Sequence, residues 1–310
     1  MHLLIPFAFS SSEGCGSALP TLTLPNLGKL LARLTPTSLD AGDEFSLSPP
    51  HERARARALG LPLRDGLIPW AAWQAHEEGA WGFITPCHWQ AGTHQITMSG
   101  QTLADFSEQE SQALLAAMRP YFEEDGITLR FEEPGRWLAR GDLFDGLATA
   151  SLDRVMGRNL ENWMPRGANA VNLRRLQNEM QMLLYTHPIN DARAARGAPV
   201  VNSFWLSGTG VLPRHQPLAS AAKAAPPVIV TSLRDAALNE DWASWIQAWH
   251  QVDATQCAAM RAALERGERC ELTLCGERNA QTLNSHLQSV LRRFLSVFGS
   301  RPPSTLISTL

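Results

Sequence analysis

Lysine, tyrosine and long apolar runs are all scarce in this sequence. Only Lys29 and Lys223 are lysines among the 27 Lys and Arg residues, tyrosine occurs 2 times, and the formal net charge is −3. A nucleic-acid-binding protein usually concentrates Lys and Arg over one wide face, and here the dense basic run is short. No apolar run approaches the roughly 20 residues needed to cross a bilayer. The composition therefore predicts neither a nucleic-acid partner nor a membrane partner.

The dense basic run covers residues 51–60 and places Arg53 and Arg57 four positions apart. That spacing puts both guanidinium groups on one side of a helix. We interpret the run as the solvated face of a surface helix rather than as a phosphate site.

The five cysteines are an odd number and contain no Cys-x-x-Cys pair. This argues against a disulfide framework and against a four-cysteine zinc site. Free thiols are typical of a reducing compartment, so we predict a cytoplasmic protein. The first residues, MHLLIPFAFSSSEGCGSA, imitate a signal peptide. Because no basic segment precedes the apolar run and the run is short, a buried first strand is the preferred interpretation.

Strand-like and helix-like segments alternate along much of the chain. Residues 3–9 read as a buried strand, and residues 23–34 as an amphipathic helix that begins with a capping Thr or Asn. A helix is predicted over 169–185, ending before His187-Pro188. Further strands are predicted over 199–206, 226–233 and 271–277. Strands separated by helices predict an α/β fold with a mostly parallel sheet flanked by helices.

The segment 81–149 differs in character. Ser107 and Glu110 have the spacing of a capping box before an apolar-periodic helix, and Pro134-Gly135 sits between two strand-like runs as in a hairpin. We predict that 81–149 is a smaller α+β inserted lobe, with 1–80 and 150–310 forming the α/β core.

The stretch THPINDARAARGAPVVNSFWLSGTG, residues 186–210, is unusually rich in hydrogen-bonding groups. In a purely structural interpretation, Asn190 and Asn202 bond to turn and edge backbone, His187 caps the helix end, and the glycines provide a tight turn. In a functional interpretation, Arg193 and Arg196 lie on a loop at the C-terminal end of a strand, where open parallel sheets bind anions.

The same stretch resembles the archaeal-type cofactor-independent phosphoglycerate mutases, whose segment runs H-P-x-N-x-x-R, a Gly-Lys pair, then A-N-x-x-W-x-W-G-x-G. The matching residues are His187, Pro188, Asn190, Arg193, Gly197, Asn202, Trp205, Gly208 and Gly210. At lower quality, LTLPNLGKLLARL and ALGLP resemble segments found throughout the alkaline phosphatase superfamily. TPCHW at 85–89 and the plan of the chain are similar to an uncharacterised bacterial family of RpfE-type regulatory proteins, and the chain is identified as a member.

The resemblance implies an alkaline-phosphatase/phosphoglycerate-mutase-like fold, but the metal ligands of that superfamily are mostly replaced. The first ligand is an Asp at the end of strand one, where this chain has Ala8-Phe9-Ser10. Asp253 matches a later ligand, but the His and Asp expected after it are missing, and the final Asp-His pair falls near Cys275-Gly276-Glu277. We therefore predict no metal site and no cofactor.

These departures predict a non-catalytic, regulatory relative that keeps the pocket and binds a small anionic ligand such as a phosphate ester. The predicted ligand-binding residues are His88, His187, Asn190, Arg193, Asn202, Trp205, Gly208 and Gly210. The alternative is a hydrolase or phosphotransferase with a relocated site around Cys87 and His88, with His94 nearby. Neighbouring side chains on a strand point to opposite faces, which argues against a Cys87–His88 pair.

Three tryptophans, Trp242, Trp245 and Trp249, have the spacing of one helix face. A face of this kind is most simply part of a core. If exposed, it would be a candidate homodimer surface.

Overall fold

The computed structural model describes residues 1–93, 95–99, 103, 105–167, 169–212, 226–285 and 302–310. It divides into two compact units. The first unit comprises Met1–Phe45, Pro49–Gly60 and Leu218–Leu310, and the second comprises Ser46–Ser48 and Leu61–Pro217. Residues 61–80 and 150–217, which we placed with the core, thus belong with the segment that we predicted as an insertion. The reason is strand pairing, described below.

The strands in chain order are β1 (His2–Ile5), β2 (Thr35–Asp40), β3 (Ala80–Cys87), β4 (Trp89–Ala91), β5 (Ile96–Met98), β6 (Thr128–Glu133), β7 (Arg136–Arg140), β8 (Ser203–Val211), β9 (Val228–Ile229), β10 (Glu271–Cys275) and β11 (Ala280–Asn284). The helices are α1 (Glu13–Ala18), α2 (Pro25–Arg33), α3 (Pro50–Leu59), α4 (Trp70–Ala75), α5 (Glu108–Glu124), α6 (Leu152–Val155), α7 (Asn169–Tyr185), α8 (Pro188–Ala195), α9 (Arg234–Leu238), α10 (Trp242–Val252), α11 (Ala258–Glu265) and α12 (Pro303–Ile307).

The first unit is built on a five-stranded sheet of order β2-β11-β10-β1-β9. β1 lies parallel to both β10 and β9, with Ile5 opposite Leu274, so the two strands predicted from residues 3–9 and 271–277 are neighbours. β11 runs antiparallel to β10 and to β2. The sheet is therefore mixed, and the prediction of a mostly parallel sheet is wrong, because β11 runs antiparallel to both of its neighbours, β10 and β2.

Helices of the first unit cover this sheet with apolar side chains. α2 buries Leu27, Leu30 and Leu31, as its periodicity predicts. Trp245 and Trp249 of α10 are fully buried, and their rings meet edge to face at 6.1 Å between centroids. The tryptophan face is thus core, and the exposure that would have made it a dimer surface is not observed.

The second unit contains an antiparallel sheet of order β6-β7-β3-β8 and a separate ribbon of β4 with β5. β3 pairs along most of its length with β8, which comes more than a hundred residues later, so β8 is a strand of this antiparallel sheet. The predicted hairpin around Pro134-Gly135 is confirmed as β6 and β7.

Three helices of the second unit matter for the candidate site. α5 begins at the predicted capping box, in which Ser107 and Glu110 exchange side-chain-to-backbone hydrogen bonds. α7 spans the predicted range and buries Leu173, Leu176 and Met180. α8 was predicted as a loop, but His187 caps it and Pro188 occupies its first turn, where the missing proline N–H costs nothing. Within the described ranges, no helix has the length and apolar character that a bilayer crossing requires.

Candidate functional site

The segment 187–210 forms α8 and β8, and its predicted ligand-binding residues separate into different environments. Asn190 and Asn202 border a cleft in the second unit. Arg193 and Trp205 are buried elsewhere in that unit. β8 belongs to an antiparallel sheet, so the expectation that these residues lie at the C-terminal edge of a parallel sheet is wrong. Ligand binding by the set stays a prediction.

Asn190 joins the end of α7 to the start of β8. Its Nδ2 donates to the carbonyl oxygens of Leu184 at 2.8 Å and Val201 at 2.7 Å, and its Oδ1 accepts from the N–H of Val201 at 2.8 Å. The side chain is buried, so each of these bonds satisfies a group that would otherwise cost free energy. Asn190 therefore joins two backbone segments by hydrogen bonds at one wall of the cleft.

Asn202 does the same for Trp89. Its Oδ1 accepts from the N–H of Trp89 at 2.7 Å, and its Nδ2 donates to the carbonyl of Trp89 at 2.8 Å. The amide side chain thus replaces the two backbone partners that a neighbouring strand would offer to the first residue of β4. Through this pair, Asn202 fixes Trp89 at the border of the cleft.

Arg193 is fully buried and does not line the cleft. Its Nε donates to the carbonyl of Pro199 at 2.7 Å, Nη2 to Asp105 at 2.8 Å and Nη1 to Glu110 at 3.2 Å. Arg196, which is partly exposed, donates to Glu110 at 2.7 Å and to Asp105 at 3.3 Å. The guanidinium group that we expected to hold an anion is therefore neutralised by two carboxylates of the chain itself.

These ion pairs shift the pKa values of the two carboxyl groups. The hydrogen bond from Arg193 lowers the pKa of Asp105, and Arg196 adds to that effect. Burial acts to raise the pKa of Glu110, but the Ser107 N–H, Arg196, the Ser107 hydroxyl and the charge of Arg193 together lower it. Glu110 is thus at once the capping residue of α5 and an ion-pair partner of α8.

The remaining predicted residues make local contacts. His88 Nδ1 lies 2.8 Å from the carbonyl of Val200, to which it donates, and His187 Nδ1 accepts from the N–H of Ile189 at 3.3 Å. Trp205 is buried and donates through Nε1 to the carbonyl of Ala150 at 3.0 Å. None of the three is among the described residues that line the cleft.

Gly208 and Gly210 produce an irregular turn of the backbone within β8. Their φ angles are 62° and 143°, a region that favours glycine. A Cβ on Gly210 would lie 2.7 Å from the carbonyl oxygen of Leu67, so the strand also approaches neighbouring backbone closely there. Both glycines are explained by chain geometry.

The cleft itself has a volume of about 530 Å³. Two aromatic side chains, Trp89 and Tyr185, contribute to its wall, together with one carboxylate, Asp191. The other described lining residues are Ala91, Ile96, Gln181, Leu184, Asn190, Ala194, Val200 and Asn202. A mostly apolar wall with a few polar groups is typical of small-molecule sites, whose volumes range over about 300–1,000 Å³.

Sequence reasoning missed Trp89, Gln181, Tyr185 and Asp191. Helix α8 brings Asp191 to the cleft, and the sequence signal for that helix was available in the His-Pro pair, since proline is favoured at the first helical position. Tyr185 was recognised as the end of α7, but its 86% exposure depends on where the neighbouring elements lie.

The alternative site around Cys87 receives no support from its surroundings. Cys87 is buried, and burial raises the pKa of its thiol, which opposes formation of the thiolate that a nucleophile needs. His94 lies outside the described residues. All five cysteines are free and buried, while the cytoplasmic location stays a prediction.

Asp253, the one residue that matches a metal ligand of the resembling superfamily, caps a helix in the first unit. Its Oδ1 accepts from the N–H of Leu27 at 2.7 Å, and its Oδ2 accepts from the N–H and from Nδ2 of Asn26, both at 3.2 Å. These donors belong to the first turn of α2, whose own N-cap residue, Leu24, has no capping side chain. The predicted Thr or Asn cap is therefore replaced by a carboxylate from a remote segment.

Other positions of that metal site are also occupied by structural groups. Ala8 is fully buried, and its N–H donates to the carbonyl of Cys275 at 2.8 Å. Glu277 accepts from the N–H of Ser11 at 3.0 Å and from the Ser11 hydroxyl. In the part of the chain that the structure describes, no group of three or more His, Cys, Asp or Glu residues is placed to hold a metal ion.

The basic run also differs from its prediction. It forms α3, but Arg53 is buried and, with Arg57, donates to Asp40 in β2. Both guanidinium groups tie the helix to the edge of the sheet, so the run is not a freely solvated face.

No family model matches this chain, and no curated protein matches it. Solved structures that are similar to it include the following two. The cofactor-independent phosphoglycerate mutase from Thermoplasma acidophilum DSM 1728 is 13% identical with a TM-score of 0.36, over 100% of this chain and 98% of that chain. The PH0037 protein from Pyrococcus horikoshii is 12% identical with a TM-score of 0.41, over 91% of this chain and 86% of that chain. At these scores neither likeness bears on function, and membership of the RpfE-type family stays a prediction.

Proposed function

We propose that this protein is a non-catalytic, phosphoglycerate-mutase-like binding protein with a regulatory role, and that its ligand site is the cleft of the second unit. The observation that carries the proposal is the cleft itself. Its volume of about 530 Å³ suits a small molecule, and its wall combines aromatic, aliphatic and amide groups.

The backbone around the cleft is held by hydrogen bonds, which supports binding without a large change of conformation. Asn190 and Asn202 lock the backbone on two sides through hydrogen bonds of 2.7–2.8 Å. A preformed wall lowers the entropic cost of binding, because fewer side chains and loops must be ordered by the ligand.

The hydrogen bonds that Asp253 accepts support the proposal that this protein has no mutase activity. A dinuclear site needs carboxylates whose oxygens face the ions, and both oxygens of Asp253 accept hydrogen bonds from the first turn of α2. Recruiting Asp253 to a metal would leave those buried donors without a partner.

Blocking the cleft tests the binding proposal. We would screen the full-length protein by ligand-observed NMR against a fluorinated fragment library that includes anions, cations and neutral molecules. Ala194→Trp places a large side chain in the cleft, and Ala195→Trp is the matched control on an exposed position outside its lining. We expect fragments that bind the native protein and Ala195→Trp but not Ala194→Trp. If no fragment separates the two variants, the cleft is not a ligand site.

The proposal that the protein is non-catalytic is tested by a separate activity assay. The protein is incubated with 3-phosphoglycerate and Mn²⁺, the Mn²⁺ is removed on a chelating resin because it broadens phosphate signals, and 2-phosphoglycerate is then measured by ³¹P NMR. We expect no conversion above the protein-free rate, and turnover by the native chain would contradict the proposal.

A further inference from the structure

The cleft has a distinct charge character, and from it we infer that its ligand is a small organic cation, an ammonium group carried on an apolar or aromatic body. The inference rests on the proposed function, because it names the ligand class of the same cleft. It replaces the anionic ligand expected from the sequence.

The first argument is the sign of the charge. Asp191 is the one charged side chain among the described residues that line the cleft. It lies exposed on α8, and within the described residues its carboxylate makes no hydrogen bond or ion pair. Because no cationic side chain among the described residues pairs with this carboxylate, it attracts a cationic ligand group and repels an anionic one.

The second argument concerns the arginines that an anion would need. Arg193, from the same helix as Asp191, and Arg196, which follows the last residue of that helix, both pair with Asp105 and Glu110. Two guanidinium groups and two carboxylates balance in charge, so this cluster offers no excess positive charge to a ligand. The two guanidinium groups thus pair with carboxylates in and just before α5, whereas the carboxylate of Asp191 lines the cleft.

The third argument is the aromatic and aliphatic wall. Tyr185 is 86% exposed at the end of α7, and Trp89 is half-buried with its ring tilted against Trp205 at 6.5 Å between centroids. The faces of such rings carry negative partial charge and favour an adjacent ammonium group. Leu184, Val200 and Ile96 complete a surface for the apolar body of the ligand.

Three probes of nearly equal shape test the inference: 2-phenylethylamine, 2-phenylethanol and phenylacetate, which are cationic, neutral and anionic at neutral pH. Binding to the full chain is measured by isothermal titration calorimetry at low ionic strength. We expect the amine to bind roughly two- to fivefold more tightly than the alcohol, a modest factor because Asp191 is exposed, and phenylacetate to bind most weakly.

Three variants complete the test. In Asp191→Asn the amine and the alcohol should bind within about twofold of each other, whereas Asp145→Asn, which removes an exposed carboxylate outside the cleft lining, should keep the native preference. Tyr185→Ala should weaken binding of the amine more than binding of the alcohol, and because Tyr185 is exposed the variant should fold as the native protein does.

The outcomes separate the inference from the proposed function. Equal binding of all three probes, tightest binding of phenylacetate, or an unchanged preference in Asp191→Asn would overturn the cationic ligand. The cleft would remain the ligand site if Ala194→Trp still abolished binding. If none of the probes binds at millimolar concentration, the cationic class is rejected, and the fragment screen alone decides whether the cleft binds anything.

Discussion

Arg193 and Arg196 share two carboxylate partners but differ in exposure, with 0% and 44% of their side chains exposed. Removing one member of a buried ion pair leaves a poorly solvated charge without full compensation, which destabilises the fold. An ion pair at the surface contributes little to the free energy of unfolding. We expect Arg193→Ala to lower the free energy of unfolding by about 3 kcal/mol and Arg196→Ala by less than about 1 kcal/mol. Urea denaturation followed by tryptophan fluorescence measures both. Equal, small losses would show that burial adds nothing to the pair.

The same cluster predicts a dependence of stability on pH. The folded pKa values of Asp105 and Glu110 are lowered, so their contribution is present above the unfolded values of about 3.9 and 4.3 and is lost as pH falls through the folded values. We expect Glu110→Gln to destabilise the protein at pH 7 and to differ less from the native protein near pH 3. Glu108→Gln, an exposed neighbour in the same helical turn, serves as the control. A Glu110→Gln deficit that stays constant with pH would contradict this account.

Individual residues of interest could be recognised from the sequence, but the side chains with which they form ion pairs could not. Arg193 was recognised as a notable guanidinium, yet the carboxylates that neutralise it lie 83 and 88 positions away along the chain. Charge pairing over such separations depends on how α5 and α8 pack, which no local pattern reports. The structural interpretation of Gly208 and Gly210 as turn glycines agrees with their positive φ angles, because glycine tolerates that region, while their part in ligand binding stays a prediction.

Helix α2 shows how an element can depend on a distant side chain. Without a cap of its own, it relies on the carboxylate of Asp253 for the N–H groups of its first turn. We expect Asp253→Ala to lower the free energy of unfolding by about 2–3 kcal/mol, since a cap and a buried acceptor are lost together. Asp253→Asn should cost less, because its amide oxygen can still accept from Leu27.

The matched comparison is Asp241→Ala, which removes an exposed cap from α10, where the side chain accepts from Ser244. We expect a smaller loss there, because water can replace the exposed cap. Thermal unfolding monitored by circular dichroism ranks the three variants. An Asp253→Ala protein as stable as Asp241→Ala would contradict remote capping.

Elements with local signals were predicted well. α5 has a complete capping box and α7 has strong apolar periodicity, so both could be read from neighbouring residues. α8 was missed because its sequence is short and polar, and its amphipathic character depends on an ion-pair cluster rather than on apolar residues. β8 was recognised as a strand, but its antiparallel partner could not be, since strand pairing is a long-range choice.

For the whole molecule, the second unit has an almost continuous sequence. Its antiparallel sheet and α4 through α8 all lie within 61–217, and only Ser46–Ser48 come from outside. Those three residues supply the N–H groups of Leu47 and Ser48 to Asp65, at 3.0 and 2.8 Å. The domain boundaries could not be predicted because they follow from which strands pair, and β3 and β8 straddle the predicted border at residue 150.

We therefore expect a fragment of residues 61–217 to fold, and a fragment of residues 46–217 to be more stable. The longer fragment keeps the partners of Asp65 and the hydrogen bond from the N–H of Gly66 to the Ser48 hydroxyl, at 2.9 Å. Amide dispersion in NMR spectra reports folding, and urea titration reports the stability difference. A collapsed spectrum for both fragments would show that the second unit needs the rest of the chain.

The position of β1 between β9 and β10 has a consequence for biosynthesis. The side chains of His2 and Thr273 lie 3.0 Å apart but are separated by 271 residues of chain. At synthesis rates of about 5–20 residues per second, roughly 14–54 s pass between translation of the two. During that interval the nascent chain carries Leu3, Leu4 and Ile5, all buried in the finished sheet, without their strand neighbours. β1 is thus translated well before β9 and β10, and its place in the sheet can be completed only after both have been made.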